Sequence, residues 1–535
     1  MRLLFGVVLN IYLVLGGNIM KLSPLFKKIL PYLILIVFGF LLYYQTLFFS
    51  YVYLDDNKLI LDNQKTLSEA GVAKIFTSDV FLYNAENGFY YRPLLNVSFL
   101  IDSSIGGINP FWFHLTNLAL HLIAACLIFL IFKEYFFSQK TSFFLALIFL
   151  THPVLTQAVA WIPGRNDSLL AIFILTSFYL FLNFLKTDRL SYLWWHLAFF
   201  IMALFVKENA VFLPLICVAY YYLFDDKFTT ENKQSNFLII FVTWFCSLTV
   251  WYLFRKVSLP NNTSLGSMAL SGWHNFSAVL VYFGKVIFPF NLGVYPVIKD
   301  LTYWYGFSAI LFFSIVTYFT TKLNWRRLLF GGLWFIIFLL PSLLNSDPSL
   351  EHRLYLPIIG LLFCFAELYP LKNLKWQTRK CKIMAVVIII IFSVLTIFHS
   401  KSFSDRLSFW TQATKNSPSS AFSFNNLGAM NYLDGNFEEA KKDYLQALSL
   451  DSRQQLVHNN LGLIAMNQGR LSEAESEYKK ELQINPYYDN TWANLGTLYL
   501  SLKRFSEAKQ AFVEAYRINP NNLQAYNGLL NLSSN

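Results

Sequence analysis

The sequence predicts an all-α protein in two parts, a polytopic transmembrane helix bundle of about 11 helices followed by an α-solenoid. Three observations carry this reading. The 535 residues are 56% hydrophobic and only 14% charged, where a soluble domain averages about 25% charged. Eleven apolar runs approach the ~20 residues that a bilayer crossing requires. Beyond Lys401 those runs stop and a 34-residue repeat begins.

Composition excludes several classes of function. A net charge of +11 invites a nucleic-acid partner. The Lys and Arg residues, however, collect beside the apolar runs, which is the positive-inside pattern of a membrane protein, so no nucleic acid is expected. Aromatics at 19% suit lipid-facing surfaces and interfacial belts. Cys126, Cys217, Cys246, Cys364 and Cys381 lie in or at the edge of apolar runs, and no CxxC is present. Neither a disulfide framework nor a cysteine metal site is expected.

Residues 1–28 read as a cytoplasmic N-terminal segment. Arg2 and the apolar run to about Leu15 resemble a signal h-region without a convincing cleavage site, whereas Met20-Lys21 with Lys27-Lys28 looks like a natural cytoplasmic start. The membrane domain is 29–400, with its first outer loop at 50–109. Its expected helices are roughly 29–49, 110–132, 142–161, 168–185, 190–206, 209–224, 236–254, 304–321, 328–345, 353–370 and 382–399. The run 273–290 is a twelfth candidate, interrupted by Gly284, Lys285 and Pro289. If it spanned, Lys322, Arg326 and Arg327 would face outside, together with Lys372, Lys375, Arg379, Lys380 and Lys382. The positive-inside rule therefore favours a re-entrant or outer-surface segment. The N-terminus is then cytoplasmic, and the 50–109 loop and everything after residue 400 lie outside.

The C-terminal domain, 401–535, holds repeats at about 421–454, 455–488 and 489–522 and a partial one at 523–535. Asn426-Leu427-Gly428 recurs as Asn460-Leu461-Gly462 and Asn494-Leu495-Gly496, and Ala440, Ala474 and Ala508 keep the same phase. The third repeat reads Trp492-x2-Leu495-Gly496-x2-Tyr499, then Ala508-x3-Phe512, then Pro520. This is the tetratricopeptide signature, a helix pair that buries its apolar face against its neighbour. Its concave face suits an extended peptide. Asn425 and Asn459 share one phase, from which they could bracket a peptide backbone, or serve as contacts between helices.

The candidate chemistry starts at Tyr53-Leu54-Asp55-Asp56-Asn57, where the first apolar run ends. Asp55 and Asp56 could supply a general base, or bind a divalent ion that steadies a leaving group. Arg92, Arg165, Lys207, Arg255 and Arg353 stand at or near the outer ends of predicted helices. Cations kept there against the charge rule suit an anionic partner such as a lipid-linked phosphate; internal pairs such as Lys207 with Glu208 are the alternative. His114 and His121, seven residues apart, read as a polar stripe between helices, and His152 stands at the Pro153 turn.

Five further stretches complete the pattern. They are Tyr91-Arg92-Pro93-Leu94; His114-Leu115-x-Asn117-x2-Leu120-His121; His152-Pro153-Val154-x3-Ala158-Val159-Ala160-Trp161-Ile162-x-Gly164-Arg165-x-Asp167; Lys207-Glu208-x5-Leu213-Pro214; and Arg353-Leu354-Tyr355-Leu356-Pro357-x2-Gly360. With the acid pair and the repeats, they resemble the transmembrane and tetratricopeptide-repeat O-mannosyltransferases of the C-type (GT-C) glycosyltransferase superfamily. The resemblance implies an active site under the first outer loop, a polyprenyl-phosphate sugar donor, and Ser or Thr hydroxyls of exported proteins as acceptors. It implies catalytic Asp55 and Asp56, with Arg92, His152, Arg165, Asp167, Lys207, Glu208 and Arg353 lining the donor. Asn425 and Asn459 would belong to the acceptor groove. Gln157 stands where relatives commonly carry Glu, which leaves the sugar, and any need for a divalent ion such as Mg or Mn, open. A ligase or polymerase acting on lipid-linked glycans, and a non-enzymatic membrane scaffold, are the competing readings. The short solenoid and compact loops point to a bacterial inner membrane.

Overall fold

The computed structural model describes residues 23–63, 71–82, 90–224, 231–259, 275–344, 350–369, 371–373, 376 and 378–533. The expectations for residues 1–22 lie outside the described residues. Every regular element among the described residues is helical. The chain divides into two compact units, one reaching to Ser408 and one running from Phe409.

In the first unit, α1 (Pro24–Tyr43) begins where Ser23 accepts a hydrogen bond from the Phe26 N–H and Pro24 occupies the first turn. The loop that follows contains a π-helical turn at Asn57–Leu61 and the short α2 (Gly71–Ile75). Next come α3 (Pro93–Gly106), α4 (Pro110–Tyr135) and α5 (Gln139–Thr151). The helix breaks at His152-Pro153 and resumes as α6 (Thr156–Ala160), bent by 51° from α5. Proline has no N–H to continue the ladder and disfavours helical backbone in the residue before it. The broken end is satisfied from neighbours. His121 bonds the Leu150 carbonyl at 3.1 Å, and the Thr396 hydroxyl donates to the Thr151 carbonyl at 2.8 Å.

The bundle continues with α7 (Arg165–Thr187), α8 (Leu190–Val206), α9 (Leu213–Phe224) and α10 (Glu231–Ser258). It closes with α11 (Ala278–Ile287), α12 (Trp304–Tyr318), α13 (Trp325–Leu343), α14 (Pro357–Ala366) and α15 (Arg379–Ser400). Six helical stretches are long and apolar enough to cross a membrane, or seven with the bent α5–α6 pair. Each of the eleven expected runs coincides with one of these or with a shorter apolar helix. The twelfth candidate is the ten-residue α11. It is about 15 Å long, half the ~30 Å of hydrocarbon in a bilayer. Helices α13 and α14 cross where a Cβ on Gly331 would sit 2.5 Å from the Gly360 carbonyl, so the contact admits only glycine. An aromatic cluster of Phe136, Phe178, Phe330, Trp334 and Phe363 fills the neighbouring core, with Phe136 and Phe363 at 4.6 Å and Phe178 and Trp334 at 5.4 Å.

The helix α16 (Arg406–Asn416) belongs to the second unit from Phe409 on and leads into the helix pairs α17 (Ala421–Leu433) with α18 (Phe437–Leu450), α19 (Val457–Asn467) with α20 (Leu471–Ile484), and α21 (Asp489–Ser501) with α22 (Phe505–Ile518). The last helix is α23 (Leu523–Ser533). The 34-residue period has a steric cause. Gly428, Gly462 and Gly496 each face an aromatic ring on the second helix of their own pair, Tyr444, Tyr478 and Phe512. A Cβ at Gly462 would lie 2.5 Å from the Tyr478 ring. Gly462→Ala is expected to destabilise the solenoid by about 1–3 kcal/mol through overpacking. Limited proteolysis of the intact protein under rising urea checks this: the second repeat should become sensitive at lower urea than in wild type.

Candidate active site

The first outer loop enters through strained backbone. Tyr53 adopts φ 60°, in the left-handed region that residues with a Cβ seldom occupy, and Arg406 lies 5.4 Å over its ring. The strain turns the chain so that Asp56 faces inward. Asp56 is 1% exposed. Its carboxylate accepts the Val52 N–H at 2.6 Å and the Trp161 indole N–H at 3.0 Å. Burial outweighs those two bonds and pushes its pKa up to about 6. Asp55 is half-buried, and among the described residues no donor is bonded to its carboxylate. Burial raises its pKa too, against the opposing charges of Lys58 and Arg92.

Trp161, which holds Asp56, is itself fixed from behind. The Asn117 amide donates to the carbonyls of Val159, Trp161 and Ile162 at 3.4, 3.2 and 3.2 Å. The Asn117 oxygen accepts Arg165 Nε at 2.7 Å. Arg165 is 0% exposed. Its remaining donors go to Asp102 at 2.5 Å, the Phe113 carbonyl at 2.8 Å, and Ser98 at 3.2 Å. Its guanidinium also stacks 4.7 Å from the Phe99 ring.

Three further cations gather beside the acid pair. Arg92 grips Glu208 with two bonds, Nη2 to Oε1 at 2.6 Å and Nε to Oε2 at 3.2 Å, over the Tyr90 ring at 4.3 Å. Lys207 donates to both oxygens of Asp167, at 2.8 and 2.9 Å, and to Asn166 at 2.8 Å. The Arg353 charge acts on Tyr282, whose hydroxyl donates to the Leu350 carbonyl at 3.1 Å. The charges of Lys207, Arg92 and Arg353 all act on Asp167. Asp55, Asp56, Arg92, Asp167, Lys207, Glu208 and Arg353 thus form one electrostatic group.

The other candidates stand apart from that group. His152 is buried, with Nδ1 capping the Val154 N–H at 3.3 Å and Nε2 on the Val286 carbonyl at 2.9 Å. Both its nitrogens and all the Arg165 donors are therefore engaged by protein. Arg255 ends α10, half-buried, and joins none of the ion pairs of the group. Asn425 and Asn459 belong to the solenoid and are 6% and 5% exposed. Their side-chain oxygens accept Asn460 at 3.3 Å and Asn494 at 3.0 Å, so they bond consecutive repeats and hold a row of more exposed Asn residues.

His352 and Glu351 escaped the sequence reading, and Gln157 entered it only as a departure from the family pattern. His352 lies 3.8 Å from Asp167, and its ring packs 5.3 Å from Trp161. Gln157 receives the His352 N–H and Nδ1 at 3.0 and 3.2 Å while donating to the Val294 carbonyl at 3.0 Å. Only an amide can donate and accept in this way, which accounts for glutamine at 157. Glu351 is fully buried between Lys285 at 2.7 Å, the Gly293 N–H at 2.7 Å and His399 at 3.2 Å, and so anchors the stretch that carries His352 and Arg353. Glu351 and His352 directly precede the quoted Arg353, which was the available signal. Among the described residues no three His, Cys, Asp or Glu side chains converge as a metal cage. Asp56, Glu208 and Asp167 are bonded to Trp161, Arg92 and Lys207 respectively, whereas the Asp55 carboxylate is not engaged by any of these.

Asp102→Asn would strand the buried Arg165 charge and is expected to cost about 3–5 kcal/mol. Arg92→Ala opens a partly exposed pair, 12% and 35% at the two side chains, and is expected to leave the fold intact. Melting temperature and monodisperse yield in detergent separate the two: only Asp102→Asn should lower both.

The chain is similar to known proteins over parts of its length. The profile of Dolichyl-phosphate-mannose-protein mannosyltransferases matches residues 101–253, and tetratricopeptide profiles match 434–489 and 490–522. The chain is 34% identical over 160 residues to Protein O-mannosyl-transferase TMTC2 of Mus musculus, covering 29% of this chain and 19% of that one. It is 24% identical over 448 residues to Protein O-mannosyl-transferase F38B6.6 of Caenorhabditis elegans, covering 78% and 62%. Against human Protein O-mannosyl-transferase TMTC4 it is 26% identical over 419 residues, covering 64% and 56%. The chain thus spans about a fifth of the length of the mouse relative. In this chain a region similar to the mannosyltransferase profile precedes the tetratricopeptide repeats, and the chain is similar over these stretches to the O-mannosyl-transferases named above.

Proposed function

We propose that this protein is a GT-C type membrane glycosyltransferase that moves a hexose, mannose being the first candidate, from a polyprenyl-phosphate donor to Ser or Thr hydroxyls of exported proteins. The observation that carries the reading is the meeting of a poorly solvated acid pair with the Arg92, Lys207 and Arg353 cations. Asp167, Lys207 and Glu208 lie inside the region matched by the mannosyltransferase profile; Asp55, Asp56, Arg92 and Arg353 lie outside it.

The division of labour follows from the hydrogen bonds. Asp56 is tethered through both oxygens, so it positions the loop. Asp55 is the base. Its carboxylate takes the proton of the acceptor hydroxyl as that oxygen attacks the anomeric carbon, and the bond from that carbon to the phosphate oxygen breaks with inversion. The Arg92 guanidinium spends Nε and Nη2 on Glu208, which leaves the Nη1 edge for the departing phosphate. Lys207 and Arg353, held against Asp167 and Tyr282, add positive charge where negative charge develops. Arg165 and His152 act at one remove by fixing Trp161 and the α5–α6 break. The solenoid holds the acceptor segment along the Asn row set by Asn425 and Asn459. Covalent linkage to the membrane domain then raises the local acceptor concentration. The Lys and Arg clusters at the opposite ends of the spans support an outward, non-cytoplasmic site.

Two measurements test the reading. Purified protein is incubated with radiolabelled polyprenyl-phosphate hexoses and peptides of exported proteins, beside Asp55→Asn and Asp56→Asn. Peptide labelling by wild type and a loss of about 10²–10⁴-fold in Asp55→Asn are expected. Undiminished labelling in both variants defeats the mechanism, and label in lipid or glycan alone moves the acceptor to that class. The pH profile is the second. The folded-state pKa of the pair lies above its ordinary value of about 3.9, so protonation sets in at higher pH. Activity should begin to fall above the ordinary carboxylate range as Asp55 takes up a proton, while Asp56, the loop tether, protonates as pH drops through about 6; an acid limb near 4 would contradict the burial argument.

A further inference from the structure

At the end of the bundle opposite the acid pair, a cavity of about 970 Å3 opens between the ends of α4, α5, α13 and α14. Topology places it there. The Asp55 loop follows the end of the first span and precedes α4, so Tyr135, at the far end of α4, lies on the other face. The cavity is lined by that end of α4, the start of α13, and the segment before α15. Five cations line it, Lys133, Lys322, Arg326, Arg327 and Lys372, against two carboxylates, Glu134 and Glu367.

These cations are set in place. Glu367 is 3% exposed at its side chain and receives Arg327 at 2.6 Å and Lys372 at 2.8 Å, so one buried carboxylate orients two cations and offsets only one. The Arg327 guanidinium stacks 5.2 Å from the Phe137 ring. Lys372 also donates to the Lys322 carbonyl at 2.5 Å, which pins a turn whose Lys322 backbone is left-handed, at φ 56°. Trp325, 68% exposed, and Trp376, whose indole N–H reaches the Thr141 hydroxyl at 3.3 Å, flank the opening. Tryptophans at span ends mark headgroup depth.

We propose that this cavity binds the phosphate of an anionic membrane lipid headgroup. Positive-inside sorting alone explains cations at this face. It does not explain a concave site with two of them held on a buried shared carboxylate and a third on a pinned, left-handed turn. Guanidinium and ammonium donors of this kind match phosphate oxygens. Cations near a membrane surface draw anionic lipid, and the exposed Trp325 with the Phe137 wall favours a lipid over a free anion.

The test uses the full chain in zwitterionic detergent, with native mass spectrometry counting retained lipid. Phosphatidylglycerol should be retained in preference to phosphatidylcholine and be displaced by rising salt. The surface variant K322Q/R326Q should bind it roughly tenfold more weakly, with the melting temperature in phosphatidylcholine unchanged. Binding and displacement by inorganic phosphate, without retention of phosphatidylglycerol, keeps the phosphate chemistry and assigns it to a soluble anion. Equal retention of the two lipids by wild type with no effect of phosphate, or undiminished phosphatidylglycerol binding in a normally melting variant, overturns the proposal.

Discussion

The bonds around Arg165 are the constraint on which the site depends. A guanidinium with no exposed surface is costly to desolvate, and it survives only when every donor is met and its charge is paired. Here Asp102, Asn117, Ser98 and the Phe113 carbonyl meet it, from α3 and α4. That arrangement locks the entry to α7, and Asn117 passes the constraint on to the carbonyls around Trp161. Trp161 in turn holds Asp56, while in the first turn of α7 Asp167 holds Lys207. The acid pair and the cations are thereby referred to one rigid corner although they come from distant stretches of sequence.

Much of the architecture was legible beforehand because it is periodic. Apolar runs near bilayer length mark spans whatever they pack against, and the Asn-Leu-Gly triplets repeat because a ring at a fixed offset leaves no room for a Cβ. The candidate residues were legible only in part as a group, since Arg165 and His152 stand apart from it, and not as a set of bonds. Arg165 and Arg92 look alike in the sequence, each a cation at the outer end of an apolar run. One faces a buried aspartate and the other a half-open glutamate, and that difference rests on Asp102 and Glu208, each far along the chain from the arginine it pairs with. His152 shows the same limit, since its capping role depends on a carbonyl in α11 that no motif announces.

Gln157 illustrates how a departure from a pattern can be read two ways. As a lost carboxylate it unsettles expectations about chemistry. As an amide it performs a task that a carboxylate cannot, joining the Val294 carbonyl to His352. The bonding favours the second view, because a glutamate there would turn a donor into a second acceptor facing a carbonyl.

The break between α5 and α6 reaches beyond its own span. Any hydropathy scale scores Thr396 as a flaw in an otherwise apolar α15. Its hydroxyl is the partner that the interrupted helix lacks at Thr151. Two segments far apart in sequence therefore share one hydrogen-bond account, and neither can be made more hydrophobic without leaving the other unsatisfied. In this protein a polar residue inside a span answers a proline in a different span, so the energetic effects of substitutions at 153 and 396 are coupled through the bilayer's intolerance of an unmet carbonyl.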